Sequence, residues 1–147
     1  MGLNRMMMKN GNSIDVFIAY IDRTIRQFED NALITVGDYA FYDCNSLTSI
    51  NLPNVTTVGD YAFGSCYSLT SINLPNVTTV GEDAFSSCKS LTSINLPNVT
   101  TVGDYAFYDC NSLMEIHFAV KNKEAIEALS DYSNKFGATN ATIYFDL

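Results

Sequence analysis

A 22-residue repeat constrains the fold of this chain more than any other feature. Residues 47–68 and 69–90 carry the same amino acid at every position except four: Asp60/Glu82, Tyr61/Asp83, Gly64/Ser86 and Tyr67/Lys89. Two residue types also recur every 22 residues, each forming a column of equivalent positions: Cys44, Cys66, Cys88 and Cys110; Phe41, Phe63, Phe85 and Phe107. A period of this length is typical of a solenoid, in which each unit buries its apolar side chains only against its neighbours.

One copy predicts a short strand, a corner and a helical turn. The strand is indicated by Ile50 and Leu52, which lie at strand spacing, with Leu47 as one more apolar residue leading into it. Pro53 ends it, because proline has no amide to donate to a sheet. Gly59-Asp60 then predicts the start of a helical turn, with Asp60 as its cap. We expect the inward face of that turn to hold Ala62, Phe63 and Cys66.

The copies also carry a family resemblance. The unit L-T-S-I-N-L-P-N-V-T-T-V-G-D-Y-A-F-x-x-C-x-S, repeated over roughly residues 33–118, resembles the bacterial leucine-rich repeat of the BspA type. Val55 stands where the general motif carries Asn or Cys, which argues against the usual asparagine ladder. The resemblance implies an α/β, right-handed solenoid with a parallel sheet on the concave side and short helical turns on the convex side. It also implies cell-surface adhesins or phage-associated proteins as relatives, and no enzyme activity.

We expect one domain, residues 14–147, preceded by a flexible tail at 1–13. The predicted parts of this domain are an N-terminal cap at 14–34, repeats at 35–118 and a C-terminal helix and strand cap at 119–147. Phe28, Leu33 and Val36 lie one period before Ile50, Val55 and Val58, which indicates a degenerate first unit. The segment from Ile14 to Ile21 is expected to close this end.

The other end is predicted to form a strand-helix-strand crossover. Apolar residues at helical spacing predict an amphipathic helix between Lys121 and Lys135. The segment Thr142-Ile143-Tyr144-Phe145 then predicts a final parallel strand.

The charge and hydropathy of the chain limit the classes of partner and the locations that we expect. The chain has 147 residues and a net charge of −8, which disfavours direct binding to nucleic acids or anionic membranes. No apolar run is long enough to span a membrane, and no signal peptide is evident. We therefore expect a cytoplasmic protein, or a part of a prophage-associated assembly, rather than an exported one.

The residues that could carry chemistry favour structural roles. Four cysteines at even spacing form a row rather than a tetrahedron, so a metal site is disfavoured, and buried thiols are preferred to disulfides. His117 lies two residues from Glu115, a pair able to transfer protons, but no nucleophile accompanies it. We expect no catalytic, cofactor-binding or metal-binding residue and no cofactor.

Three polar columns have two interpretations each. Ser49 and Asn51, with their copies, form ladders able to bind a glycan or simply to satisfy one another. Asn54 and its copies fit the glycosylation pattern N-x-T but also suit turns. The acidic column caps helical turns or imitates phosphates: Asp38, Asp60, Glu82 and Asp104.

Variation between copies falls on the predicted helical turns and points to a partner-binding surface. Tyrosine offers a large contact area at low entropic cost, so we predict partner contacts at six positions: Tyr39, Tyr42, Tyr61, Tyr67, Tyr105 and Tyr108. Relaxed constraint on exposed positions would produce the same variation.

Three functional hypotheses follow. The first is a noncatalytic protein-interaction module, the second an adhesin-like protein that binds host matrix or glycan, and the third a small acidic inhibitor of a nucleic-acid enzyme.

Overall fold

The chain forms a β-solenoid in which each 22-residue copy makes one coil. The computed structural model describes residues 24–147 in full and residues 7–10 and 13–16 as backbone strands. The strands are β1 (Met7–Asn10), β2 (Ser13–Val16), β3 (Gln27–Glu29), β4 (Thr35–Val36), β5 (Ser49–Asn51), β6 (Thr57–Val58), β7 (Ser71–Asn73), β8 (Thr79–Val80), β9 (Ser93–Leu96), β10 (Thr101–Val102), β11 (Glu115–Phe118) and β12 (Thr142–Phe145).

The longer strands pair in parallel with a shift of one copy. One sheet has the order β3-β5-β7 and another the order β12-β11-β9. Phe28 lies opposite Ile50, which confirms the degenerate first unit, and Ile116 lies opposite Ile143, which confirms the final parallel strand. β7 and β9 belong to different sheets although both read Ser-Ile-Asn, and nothing in these strand residues explains the break.

A third sheet, which the sequence did not predict, runs along another side of the solenoid. Its order is β1-β2-β4-β6-β8-β10, and its repeat strands are Thr-Val pairs. β1 pairs antiparallel with β2, so the stretch predicted as a flexible tail contains a strand. The boundary at residue 14 stays a prediction. The closure proposed for Ile14 to Ile21 depends on side chains that lie outside the described residues.

The predicted helical turns are wrong: consecutive β-turns take their place. In the first copy the amide of Ala40 donates to the carbonyl of Gly37 at 3.2 Å, and that of Tyr42 donates to the carbonyl of Tyr39 at 3.1 Å. Tyr39 and Asp43 have φ values of 60° and 63°. Left-handed residues interrupt a right-handed helix, and here they aim every second peptide group along the solenoid axis.

These peptide groups join one coil to the next. Tyr39 N–H donates to the Asp60 carbonyl at 2.9 Å, and Phe41 N–H donates to the Ala62 carbonyl at 2.7 Å. We call the stacked turns, residues 38–43, 60–65, 82–87 and 104–109, the turn face. Three expectations stay predictions: that the turn face is convex, that the sheet of the longer strands is concave and that the solenoid is right-handed.

The core is a set of aligned apolar columns. Phe41 and Phe63 stack with ring centroids 5.2 Å apart, and Phe63 and Phe85 with centroids 5.3 Å apart. All three rings are fully buried, as are the leucines at the start of each copy. Burial of successive copies against one another is the packing that the repeat predicts.

A close contact between coils explains the glycine that recurs at one position of the repeat, as Gly59, Gly81 and Gly103. A Cβ added at Gly81 would lie 2.6 Å from the Asp60 nitrogen, and one at Gly59 would lie 2.7 Å from the Asp38 nitrogen. Atoms at that separation overlap, so these positions require glycine.

An asparagine ladder is present, one residue before the place where the general motif has it. Asn76 Nδ2 donates to the Pro53 carbonyl at 2.6 Å, and Asn98 Nδ2 donates to the Pro75 carbonyl at 2.7 Å. The ladder that Val55 cannot form is therefore supplied by its neighbour Asn54 and the copies of Asn54. The same contacts favour the turn interpretation of the glycosylation pattern.

The C-terminal cap contains a shorter helix than predicted. α1 spans Lys123–Glu127, and 3₁₀ helices flank it at Val120–Asn122 and Tyr132–Gly137. α1 ends at Glu127, before the apolar residues Leu129 and Tyr132, and left-handed φ values of 52° at Lys135 and 53° at Phe136 interrupt the second 3₁₀ segment. Among the fully described residues, no helix has the length and apolar character that a membrane span needs.

Candidate partner-binding face

Three exposed or half-exposed tyrosines hold a backbone conformation that bulky residues rarely adopt. Tyr39, Tyr61 and Tyr105 occupy the same position of their copies, with φ values of 60°, 56° and 58°. The third copy has Asp83 there, with φ of 52°. Asp and Asn tolerate left-handed angles, whereas a large side chain makes such angles costly. The chain therefore places its tyrosines where the turn favours a smaller polar residue.

The first tyrosine cluster joins the first two copies. Tyr39 and Tyr61 stack with centroids 4.9 Å apart and planes 6° apart. Tyr42 meets Tyr39 edge to face at 5.4 Å. A Cβ added at Gly64 would lie 2.9 Å from a carbon of the Tyr42 ring, so glycine at this variable position makes room for the ring.

The second cluster lies on the fourth copy. Tyr105 and Tyr108 meet edge to face, with centroids 5.8 Å apart and planes at 90°. They are 49% and 54% exposed. Together with Asp83 they line a surface depression of about 330 Å³.

Asp83 connects the two clusters. Its hydrogen bond with the Tyr61 hydroxyl, helped by its charge, raises the pKa of Tyr61. Burial raises the pKa of Asp83 more than this hydrogen bond lowers it. Five of the six predicted tyrosines thus fall into two groups. Tyr67 is 41% exposed, and within residues 24–147 its ring stacks on no other aromatic ring.

The acidic column links coils rather than capping helices. Asp38 Oδ1 accepts a hydrogen bond from the Asp60 amide at 2.8 Å, and Asp60 Oδ1 accepts one from the Glu82 amide at 2.8 Å. The helix-capping interpretation is wrong, because the carboxylate bonds to the equivalent residue of the next copy. The carboxylates nevertheless leave the turn face strongly acidic.

Lys89 lies two residues beyond the turn face and pairs with a carboxylate of it. Its Nζ lies 2.8 Å from Asp109 Oδ2, which also accepts a hydrogen bond from Ser87 Oγ at 3.0 Å. The hydrogen bond from Lys89, then that from Ser87, lowers the pKa of Asp109.

The cysteine column is packed inside the solenoid. Cys66, Cys88 and Cys110 donate their thiol hydrogens to carbonyls of the preceding copy, with Cys88 Sγ 3.3 Å from the Phe63 oxygen. No disulfide joins the four cysteines, which are all buried. Burial raises the pKa of the Cys88 thiol. In the part of the chain with described side chains, no group of His, Cys, Asp and Glu has the arrangement of a metal site.

His117 lies between two carboxylates at the C-terminal end. Its Nδ1 is 2.9 Å from Asp146 Oδ1, its Nε2 is 3.0 Å from Glu115 Oε1, and its ring stacks on Tyr144. The His117 side chain is only 16% exposed. Asp146 is 29 residues away in sequence, and no local motif indicated its part in this contact.

Two further polar surfaces run along the repeats. On the longer strands, Asn73 Nδ2 donates to Asn51 Oδ1 at 2.6 Å, so these side chains satisfy one another. Beside the third sheet, copies of Asn54 and Thr56 line a groove of about 580 Å³. Their amide and hydroxyl hydrogens are donated to carbonyls of the preceding coil, as Thr78 donates to Thr56.

Comparison with known proteins identifies the repeat. The family model for the BspA type leucine-rich repeat region matches residues 23–135 in 6 copies. Among curated proteins, no match was found.

Solved structures share the fold. A leucine-rich cell surface protein from Faecalibacterium prausnitzii matches with a TM-score of 0.73 and 24% identity, over 97% of this chain and 38% of that one. A leucine-rich repeat protein from Bacteroides ovatus matches with a TM-score of 0.63 and 24% identity, over 77% of this chain and 39% of that one. The T. pallidum leucine-rich repeat protein matches with a TM-score of 0.58 and 23% identity, over 99% and 79%.

This chain spans about two fifths of the length of the first two proteins. At these identities the likeness establishes the fold alone. The family match covers most of the chain, and the registered coils show the repeat directly. The chain belongs to the family of BspA-type leucine-rich repeat proteins.

Proposed function

We propose that the chain is a noncatalytic protein-interaction module that holds a protein partner on its turn face. The leucine-rich repeat fold supports protein binding in general, and the family is typically noncatalytic. One observation carries the choice of face: Tyr39, Tyr61 and Tyr105 hold left-handed backbone angles, and Tyr39 and Tyr105 are 38% and 49% exposed.

The three left-handed tyrosines strain the backbone without adding to the buried core. A left-handed non-glycine residue costs roughly 1 to 3 kcal/mol, and Asp83 shows that the turn accommodates a residue better suited to it. An exposed ring contributes little burial to the core. Rigid tyrosines at low entropic cost are, however, the side chains that protein-binding surfaces use.

Site-specific photo-crosslinking tests the choice of face. We expect p-benzoylphenylalanine in place of Tyr108, which is 54% exposed, to capture a partner in extracts of the native host. Met114 is 55% exposed and lies outside the turn face, so the same probe there is a matched control. Equal capture from both positions, or capture from Met114 alone, would contradict the proposal.

An adhesin-like function is a second candidate, because one similar structure is described as a cell surface protein. It predicts that the crosslinked partner is a host-matrix component. The hypothesis of an acidic inhibitor instead predicts a nucleic-acid enzyme as the captured protein, held by contacts that weaken steeply with salt.

A further inference from the structure

We propose that the depression lined by Asp83, Tyr105 and Tyr108 is a binding site for an arginine side chain of the partner. This inference rests on the proposed function and names the chemistry that one part of the turn face recognises.

The two rings provide the aromatic walls of such a site. Tyr105 and Tyr108 stand at 90° to one another, with centroids 5.8 Å apart, and about half of each side chain is exposed. A cation over the face of an aromatic ring is attracted by the ring quadrupole, and a planar guanidinium also stacks on the ring.

Asp83 provides the charge. Among the described residues it forms a hydrogen bond with Tyr61 and no salt bridge, while Lys89 is held by Asp109. The guanidinium group donates paired hydrogen bonds to a carboxylate, which a lysine ammonium does not match. Glu82 and Asp104 are neighbours in sequence of the lining residues and increase the negative potential.

The other junctions between copies serve as an internal comparison. One copy earlier the equivalent residues are Tyr61, Asp83 and Ser86, and two copies earlier they are Tyr39, Tyr61 and Gly64. Neither set combines two tyrosines at the second and third positions with a carboxylate at the first. The junction of the third and fourth copies therefore differs from the others in the residues that recognise a cation.

The backbone fixes this junction before any ligand binds. Asp83 N–H donates to the Asp104 carbonyl at 3.1 Å, and Ser87 N–H donates to the Tyr108 carbonyl at 2.7 Å. Tyr105 N–H donates to Asp131 Oδ2 at 2.8 Å. A site whose parts are already held in place loses less entropy on binding.

An NMR titration tests the site with a defined probe. The probe is the peptide acetyl-Gly-Gly-Arg-Gly-Gly-amide, and its control carries citrulline, which has nearly the shape of arginine without its charge. We expect saturable shifts of the Asp83, Tyr105 and Tyr108 amides with the arginine peptide alone. Shifts spread evenly over the acidic residues of the turn face, or no shifts at low salt, would overturn the proposal.

Asp83→Asn is the decisive variant. Asn also tolerates left-handed angles, so we expect the fold to persist, which the dispersion of the same spectra checks. The dissociation constant of the arginine peptide should rise about tenfold, as loss of one charge-assisted contact predicts. Unchanged affinity in Asp83→Asn would overturn the site. If the site fails this test but the probe at position 108 still captures a partner, the proposed function stands. If the probe captures no partner in the chain that keeps Asp83, the proposed function is contradicted instead.

Discussion

The rings of Tyr39 and Tyr61 stack 4.9 Å apart and nearly parallel, although both residues hold left-handed backbone angles. Their separation follows from the spacing of neighbouring parallel strands, about 4.8 Å. Phe41 and Phe63 stack in the same way inside the solenoid, at 5.2 Å. One repeat thus builds two aromatic columns, of which the buried one stabilises the fold and the other, in our account, serves binding.

The two columns should respond differently to truncation. We expect Tyr105→Asn to change the free energy of unfolding by less than about 1 kcal/mol, because relief of the left-handed strain offsets the lost contact with Tyr108. Phe107→Ala should lower it by about 3 to 5 kcal/mol, since Phe107 is fully buried. Urea unfolding followed by circular dichroism measures both values. Equal losses in the two variants would show that the exposed ring is structural.

Glycine at position 81 should be required by the approach of neighbouring coils. Gly81→Ala places a methyl group 2.6 Å from the Asp60 nitrogen, so we expect a loss of about 1 to 3 kcal/mol in unfolding free energy. Ser71→Ala, at an exposed position, is the control. If the two variants unfold at the same temperature, the coils accommodate the added methyl group without loss of stability.

His117 should make stability fall as pH rises through neutrality. Burial disfavours its charged form, but hydrogen bonds to Asp146 and Glu115 outweigh this effect and raise the pKa of His117 above its usual 6.5. The stabilisation is therefore complete below pH 6.5 and is lost as pH rises through the folded value. Unfolding free energies measured between about pH 6 and pH 8 should fall less steeply in His117→Gln. If His117→Gln leaves the slope of unfolding free energy against pH unchanged, His117 does not contribute to the pH dependence.

The cysteine column should be unreactive in the folded protein. Cys44, Cys66 and Cys88 are fully buried, and burial raises the pKa of Cys88. Only a thiolate reacts with Ellman's reagent, so we expect modification no faster than unfolding. Ser93→Cys adds an exposed thiol on the strand side and should react at once. Rapid reaction of the unaltered protein would contradict the packing.

The repeat predicts what is periodic in the structure. The pairing of Phe28 with Ile50 follows from a shift of one copy, and the buried columns follow from positions that stay apolar in every copy. The third sheet was missed because Thr57-Val58 and its copies are two-residue strands, too short to show an alternating pattern.

The turn face was predicted in part. The variable tyrosines were found from differences between copies, but Ala62, Phe63 and Cys66 have a spacing that helices and these turns share. Asp83 stands where the other copies have tyrosine. It was the available signal that this position is left-handed, because Asp tolerates left-handed angles. The contact of His117 with Asp146 depends on the tertiary fold and left no local pattern.

Partner capture by the double variant Tyr39→Asn/Tyr105→Asn tests the role of the turn face most directly. The probe is p-benzoylphenylalanine at position 108, and the unfolding midpoint of the same sample reports whether the solenoid is intact. We expect an unchanged or higher midpoint together with loss of the crosslinked product. Full capture by the folded double variant would contradict the account.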